Sequence, residues 1–308
     1  MSRAVQRGTP AADATLALRA LARDRGTDVQ ELQTLYALEC LLARVAVSPF
    51  RDDFVLKGGA LLAAYALRRP TKDLDLSATR LANDVASVTA RIQVICELEL
   101  PDGVEFDAGS ISATEIRDDD EYSGVRLRIS GALGPARVRV GIDVSFGDPI
   151  WPAPNIVRVP RLIDADLGPV LVLGYPLTMV LAEKIVTAVE RGEANTRWRD
   201  FADIHLVTRQ HQIDRGTLRS SVHEVAQYRE VEMVPMTEAV GELADLGQAR
   251  WSRWLRRVDR TDLPENLAEV LEAIARFIDP VTTEADRHAR WSPEEQRWIE
   301  TLGADAGA

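Results

Sequence analysis

The sequence predicts an α+β chain in two parts: an α/β domain with a helical N-terminal prefix over residues 1–175, and a C-terminal all-helical domain over 176–308. Three observations carry this. A strand, a glycine turn, a helix and a second strand follow one another between Phe54 and Ser77. Residues 137–146 alternate polar and apolar, the period of a half-buried strand. After Pro176 the strand-like runs stop and apolar residues recur at helical spacing.

In chain order, residues 11–25 and 28–47 read as two helices, the second with Leu32, Leu35, Leu38, Leu41 and Leu42 on its apolar face. Phe54-Val55-Leu56 is a short buried strand, Lys57-Gly58-Gly59 a turn, 60–67 a helix and 74–77 a second strand. A helix over about 80–98 follows, then strands at 104–106, 125–129, 138–146 and 170–174. Pro176 suits a first helical position and Gly192 a C-cap, so one helix lies between them. Further helices are expected at 196–210, 217–227, 248–258, 263–278 and 293–302.

With 308 residues, 46% of them hydrophobic, the chain can build one large core or two smaller ones. Its net charge of −11 opposes indiscriminate binding of nucleic acid, because such affinity comes from cations that displace counterions from phosphates. A nucleic-acid partner must therefore meet a local basic patch. No apolar run is long enough to cross a bilayer, and the opening MSRAVQRGTPAADATL lacks the apolar centre of a signal peptide, so a soluble cytoplasmic protein is expected. Cys40 and Cys96 fall inside apolar helical patterns with no ligand spacing and read as core thiols.

The chemistry concentrates in Lys57-Gly58-Gly59 and in Asp73-Leu74-Asp75-Leu76-Ser77. On a strand, Asp73, Asp75 and Ser77 share one face while Leu74 and Leu76 face the core. Adjacent carboxylates repel unless a cation sits between them, and hard divalent ions such as magnesium prefer oxygen ligands. A solvated strand edge would have the same pattern. A Gly-Gly turn at a helix N-terminus leaves backbone N–H groups to meet a phosphate oxygen. In 137–146 the apolar side is Val138, Val140, Ile142, Val144 and Phe146, so Asp143 points away from the core. If this strand lies beside the DxD strand, three aspartates converge as in two-metal phosphoryl chemistry.

Lys184 lies at the edge of an apolar stripe formed by Leu177, Val180, Leu181, Ala188 and Val189, and an inward-leaning lysine asks for an anion, which a triphosphate would supply. Its stem could equally cover apolar surface with the head in water. Thr196 is a candidate N-cap for the following helix, and Asp200 and Asp203, three residues apart, can face one neighbour.

Taken together, LKGGALLAAYALRRPTKDLDLS, GIDVSFGD, LAEKIVTAVERG and RWRDFADIHLV resemble the AbiEii/MenT family of nucleotidyltransferase toxins, over Phe54 to Val207. The resemblance implies a polymerase-β-like nucleotidyltransferase core with a mixed sheet joined to a helical domain. It implies magnesium dependence and nucleotide transfer from a nucleoside triphosphate to an RNA acceptor, in some members the tRNA 3′ end, which blocks translation until a cognate antitoxin restrains the toxin. By position, Gly58 and Gly59 match its phosphate-binding turn, Asp73 and Asp75 its metal pair with Asp143 a weaker match, Lys184 its triphosphate-contacting lysine and Asp200 its following acid. Asp203 fits that last place too. The wider superfamily has Gly-Ser at the turn, so here backbone contacts must serve.

Arg250, Arg253, Arg257 and Arg260 fall at helical spacing around Trp251, Trp254, Leu255 and Val258, either an RNA surface or a basic face over core residues. The acidic net charge also suits transfer to a protein or a small molecule, and a non-catalytic regulatory module on the same fold is a third reading.

Overall fold

The computed structural model describes residues 8–117, 123–163, 167–258, 260–283 and 288–301. The chain forms two compact units: Met1–Asp148 with Pro154–Tyr175, and Pro149–Ala153 with Pro176–Ala308.

The first unit opens with α1 (Pro10–Arg25) and α2 (Val29–Val47). Thr9 caps α1 ahead of a proline at its first position, and Asp28 caps α2 by accepting from the Gln30 amide. Then come β1 (Phe54–Lys57), a single turn α3 (Gly58–Leu61) continued by a 3-10 turn to Tyr65, and β2 (Asp73–Ala78). Helix α4 (Val85–Cys96) is capped by Asp84 and leads into β3 (Val104–Arg117), β4 (Ser123–Leu133), β5 (Ala136–Phe146), β6 (Asn155–Val159) and β7 (Val170–Gly174). The seven strands make one mixed sheet in the order β3-β4-β5-β2-β1-β7-β6, with β2 parallel to β5 and β1 parallel to β7.

Helices α2 and α4 pack on this sheet, α2 against β5 and β7, α4 against β3. Leu32, Leu35, Leu38, Leu41 and Leu42 are all buried, as are Val88, Ile92 and Ile95 of α4, so the apolar faces read from the sequence are core; Leu32 and Leu35 cluster with Leu18 of α1 and with Leu133 and Leu162. Within that core Arg44 is buried, and its Nη1 reaches Asp102 Oδ2 at 2.7 Å. Its remaining donors are taken by the carbonyls of Leu98, Cys40 and Val104. A buried pair satisfied this completely ties α2 to the segment entering β3; removing one partner of such a pair costs about 3–5 kcal/mol. Glu39 does similar work, binding Arg68 and accepting from the Leu162 amide at 2.7 Å.

The second unit holds α5 (Leu177–Arg191), α6 (Trp198–Gln210), β8 (Ile213–Asp214), α7 (Arg215–Tyr228), α8 (Met236–Ala239), α9 (Leu243–Val258), α10 (Leu267–Thr283), β9 (Ala289–Ser292) and β10 (Arg297–Glu300). It is largely helical but not all-helical, because β8, β9 and β10 form a three-stranded antiparallel sheet. The helix expected over 293–302 is instead the turn and second strand of a hairpin, with Leu302 outside the described residues. Trp291 pairs with Trp298 across the strands, and both rings pack on Phe277 with centroids 4.9 and 5.2 Å away. That cross-strand aromatic contact outweighs the helix-start pattern of Pro293-Glu294-Glu295. Two smaller corrections concern helix starts. Thr196 is not the N-cap of α6; Arg197 holds that place, and Asn195 Oδ1 accepts from its amide. The helix expected over 80–98 starts only at Val85. Among the described residues no helix is long and apolar enough to cross a membrane.

Candidate active site

The strand alternation puts Leu74 and Leu76 in the core and leaves Asp73 and Asp75 on the opposite face. Because β5 pairs with β2 in parallel, Asp75 stands opposite Asp143, and Ser77 opposite Ser145. On the other flank Asp75 stands opposite Lys57 of β1, and beyond Asp143 comes Arg126 of β4. One row across four strands therefore reads Lys57, Asp75, Asp143, Arg126. The next row carries Asp73, Gly141 and Arg128.

Two glycines make this row possible. Gly58 has φ +65°, and a Cβ there would lie 1.9 Å from Asp75 Oδ2, so only glycine combines this backbone with so close a carboxylate. Its neighbour Gly59 donates its amide to Asp75 Oδ2 at 3.3 Å, so one amide expected to be open to phosphate is engaged by Asp75. The Arg69 guanidinium lies over Gly59, about where a side chain there would begin. At Gly141 a Cβ would come within 2.0 Å of both Arg128 Nη1 and Asp73 Oδ1; that ion pair, 2.7 Å long, crosses above the bare backbone.

The charges are closely matched. Arg126 binds Asp143 through both carboxylate oxygens, at 2.9 and 2.7 Å. Lys57 Nζ reaches Asp148 Oδ2 at 2.6 Å, and the Ser145 hydroxyl donates to the same oxygen at 2.6 Å. Burial pushes the Asp75 carboxyl up to about 6; the charge of Asp143 adds to the rise, while the Gly59 amide, Lys57 and Arg69 oppose it. Among the described residues no three His, Cys, Asp or Glu side chains are gathered as a ready metal centre. Asp73, Asp75 and Asp143 still fit a hard divalent cation in donor type and in register, provided Asp73 and Asp143 turn from their arginines toward the ion.

In the second unit, Lys184 of α5 is half-buried and its anionic partners are protein groups. Its Nζ lies 2.6 Å from Asp200 Oδ1 and 2.8 Å from Asp203 Oδ2. The i, i+3 spacing on α6 turns both carboxylates to one lysine, and Arg197 Nε adds a contact to Asp200 Oδ2 at 2.9 Å. Along α9, Trp251 and Trp254 are buried and stacked, with Trp251 set edge-on to Trp198. Arg250, Arg253, Arg256 and Arg257 are exposed, and Arg260 is paired with Asp262; Asp259 lies outside the described residues. The tryptophans are thus core.

Sequence reasoning named Lys57 only as part of the turn and gave no role to Arg69, Arg126, Arg128 and Asp148. Arg126 and Arg128 had a usable signal, since they alternate with Val125, Leu127 and Ile129 on a strand that was expected.

Residues 40–274 match the family described as "Nucleotidyl transferase AbiEii toxin, Type IV TA system". Among solved structures, MenT4, a nucleotidyltransferase toxin from Mycobacterium tuberculosis H37Rv, is similar with a TM-score of 0.52 and 17% identity, over 90% of each chain. JHP933 from Helicobacter pylori has a TM-score of 0.49 and 16% identity, over 82% of this chain and 93% of its own. At 17% identity the likeness to MenT4 is one of fold. No curated protein sequence matches the chain.

Proposed function

The chain belongs to the AbiEii nucleotidyltransferase toxin family of type IV toxin–antitoxin systems, and from that premise we propose that it transfers a nucleotide from a nucleoside triphosphate to RNA. The acceptor in this reading is the tRNA 3′ end, translation is the process blocked, and the partner that restrains the toxin is a cognate antitoxin. A hydroxyl oxygen of the acceptor forms a bond to the α-phosphorus as the bond to the bridging oxygen breaks and pyrophosphate leaves.

The observation that supports this most is the row in which Asp75 stands opposite Asp143, beside a glycine that no side chain can replace. Asp73, Asp75 and Asp143 would hold a divalent cation, magnesium in this reading. Such an ion supplies charge neutralisation on the phosphates and makes a hydroxyl easier to ionise. The chain's own groups do the positioning. Arg126 and Arg128 hold the carboxylates of Asp143 and Asp73 in position on the sheet face. Gly58 and Gly59 let a phosphate approach the backbone at the start of α3, and Arg69 places a cation over that turn. In the second unit, Lys184 carries charge that a triphosphate can share, and Asp200, with Asp203, holds its ammonium in place.

The test is incubation of the purified chain with each labelled triphosphate, magnesium and total RNA. Label should enter one RNA class and disappear with a chelator or with Asp75→Asn. Label that enters protein or a small molecule, with RNA unmarked, would replace the RNA acceptor by one of those.

A further inference from the structure

The open face of the sheet continues past the carboxylate row, and what it carries there is basic. On this face β5 presents Arg137, Arg139, Gly141, Asp143 and Ser145, while β4 presents Arg126, Arg128, Ser130 and Ala132. The intervening Val138, Val140, Leu127 and Ile129 are buried on the helix side. Four arginines thus stand on two neighbouring strands of a chain whose net charge is −11.

The four are not equivalent. Arg126 and Arg128 are committed to Asp143 and Asp73. Arg137 and Arg139 are exposed, stand opposite Ala132 and Ser130, and have no carboxylate partner among the described residues. Lys72, exposed at the entry to β2, accepts from the Gly141 amide through its carbonyl oxygen, so a further cation borders the same stretch. The acidic neighbours on this face are Asp143 and Asp73, committed to Arg126 and Arg128, and Glu105 and Asp107 of β3, two strands away from Arg137 and Arg139.

We propose that Arg139 and Arg137 carry the backbone phosphates of the single-stranded RNA acceptor as it leaves the carboxylate row toward the β4–β5 hairpin. The inference rests on the RNA reading above. Along β5, four residues separate Asp143 from Arg139, about 13 Å at strand rise, and Arg137 lies about 7 Å further. A chain end whose terminal hydroxyl sits at Asp75 and Asp143 meets the two arginines with the phosphates just upstream. Arginine suits this because its guanidinium grips phosphate with two donors. The basic stripe of α9 lacks this argument, since it belongs to the other unit and shares no strand with the aspartates.

The experiment compares Arg137→Gln/Arg139→Gln with the unaltered chain, using a short labelled single-stranded RNA across a salt series and circular dichroism to confirm folding. Two lost phosphate contacts should flatten the slope of log affinity against log salt by about 1.4 and weaken binding roughly 25-fold near 0.1 M salt. Arg137→Lys/Arg139→Lys should keep most of the slope, which a purely structural role for the arginines would not predict. Unchanged slope and affinity in the Gln variant overturn the path along β5, as does a loss of slope confined to Arg253→Gln/Arg257→Gln on α9. If the unaltered chain binds no RNA, the acceptor reading falls first and this inference with it.

Discussion

The two charge clusters are built on opposite plans. In the first unit three carboxylates have separate cations, Arg128 for Asp73, Arg126 for Asp143 and Lys57 for Asp148, while Asp75 between them accepts from the Gly59 amide. In the second unit a single lysine is shared by Asp200 and Asp203 on one helix turn, in a more buried setting. The difference is one of consequence. A cluster of separate pairs on an open face can lose a member and keep its fold. A cluster in which one lysine bridges two largely buried anions loses more with that lysine, because Asp203 and Asp200, the latter also held by Arg197, stay buried with less compensating charge.

The largest expected effect tests the first half of that contrast. Asp75→Asn should lower nucleotide transfer by about 10³-fold or more, in line with removing a charge that stabilises the reacting phosphate. Its thermal unfolding should match that of the unaltered chain. A variant that is inactive because it is unfolded would erase the distinction between the clusters.

For the second half, Lys184→Ala should destabilise the second unit by about 3–5 kcal/mol in denaturant unfolding, since Asp200 and Asp203 lose their shared partner. Adding Asp203→Asn to Lys184→Ala should recover part of the loss. Equal midpoints for Lys184→Ala and the unaltered chain would show that the lysine is no more structural than Arg126.

Gly58→Ala is the one substitution in the open cluster expected to cost stability. Its φ of +65° alone costs roughly 1–3 kcal/mol for a side chain, and the new Cβ displaces the Asp75 carboxylate. Activity should therefore fall together with the unfolding midpoint; a fully active variant would place Asp75 outside the reaction.

The smallest effect separates the units by pH. All four histidines lie in the second unit, and burial, aided by Arg209, lowers the buried His205 to about 4 from its ordinary 6.5. A group depressed in the fold contributes stability that is present above pH 6.5 and lost as pH falls toward 4. The loss should reach about 2 kcal/mol by pH 5 and vanish in His205→Gln. In the first unit burial raises Glu39, so its contribution has the opposite sign, favourable at low pH and lost as pH rises. Hydrogen exchange at pH 7 and pH 5 should thus show the second unit loosening first; uniform loosening would contradict the assignment.

How much of this was legible depended on whether a feature is local. Alternation along Asp73-Leu74-Asp75-Leu76 and along 137–146 assigned the faces of both strands, because side-chain direction needs only the strand itself. It could not say that Asp75 stands opposite Asp143 or Lys57, since register follows from strand order across the sheet. The demand of Lys184 for an anion was readable, but its satisfaction by Asp200 and Asp203 was not, because two helices had to meet. Strand β6 escaped notice since it is five residues long, stands at the sheet edge and is bracketed by Pro154 and Pro160. The hairpin of β9 and β10 was hidden by a proline and two glutamates that mimic a helix start.

Gly141 has a consequence for how such a toxin is lost. It sits mid-strand with no unusual backbone, yet a methyl group there would wedge between Asp73 and Arg128. In a core, a hydrogen-to-methyl change is among the mildest substitutions a genome can sample. Here it would misplace the Asp73 carboxylate while leaving an intact strand behind. Lineages escaping the toxin should therefore accumulate alanine or serine at this position, a disarmed protein still available to its antitoxin.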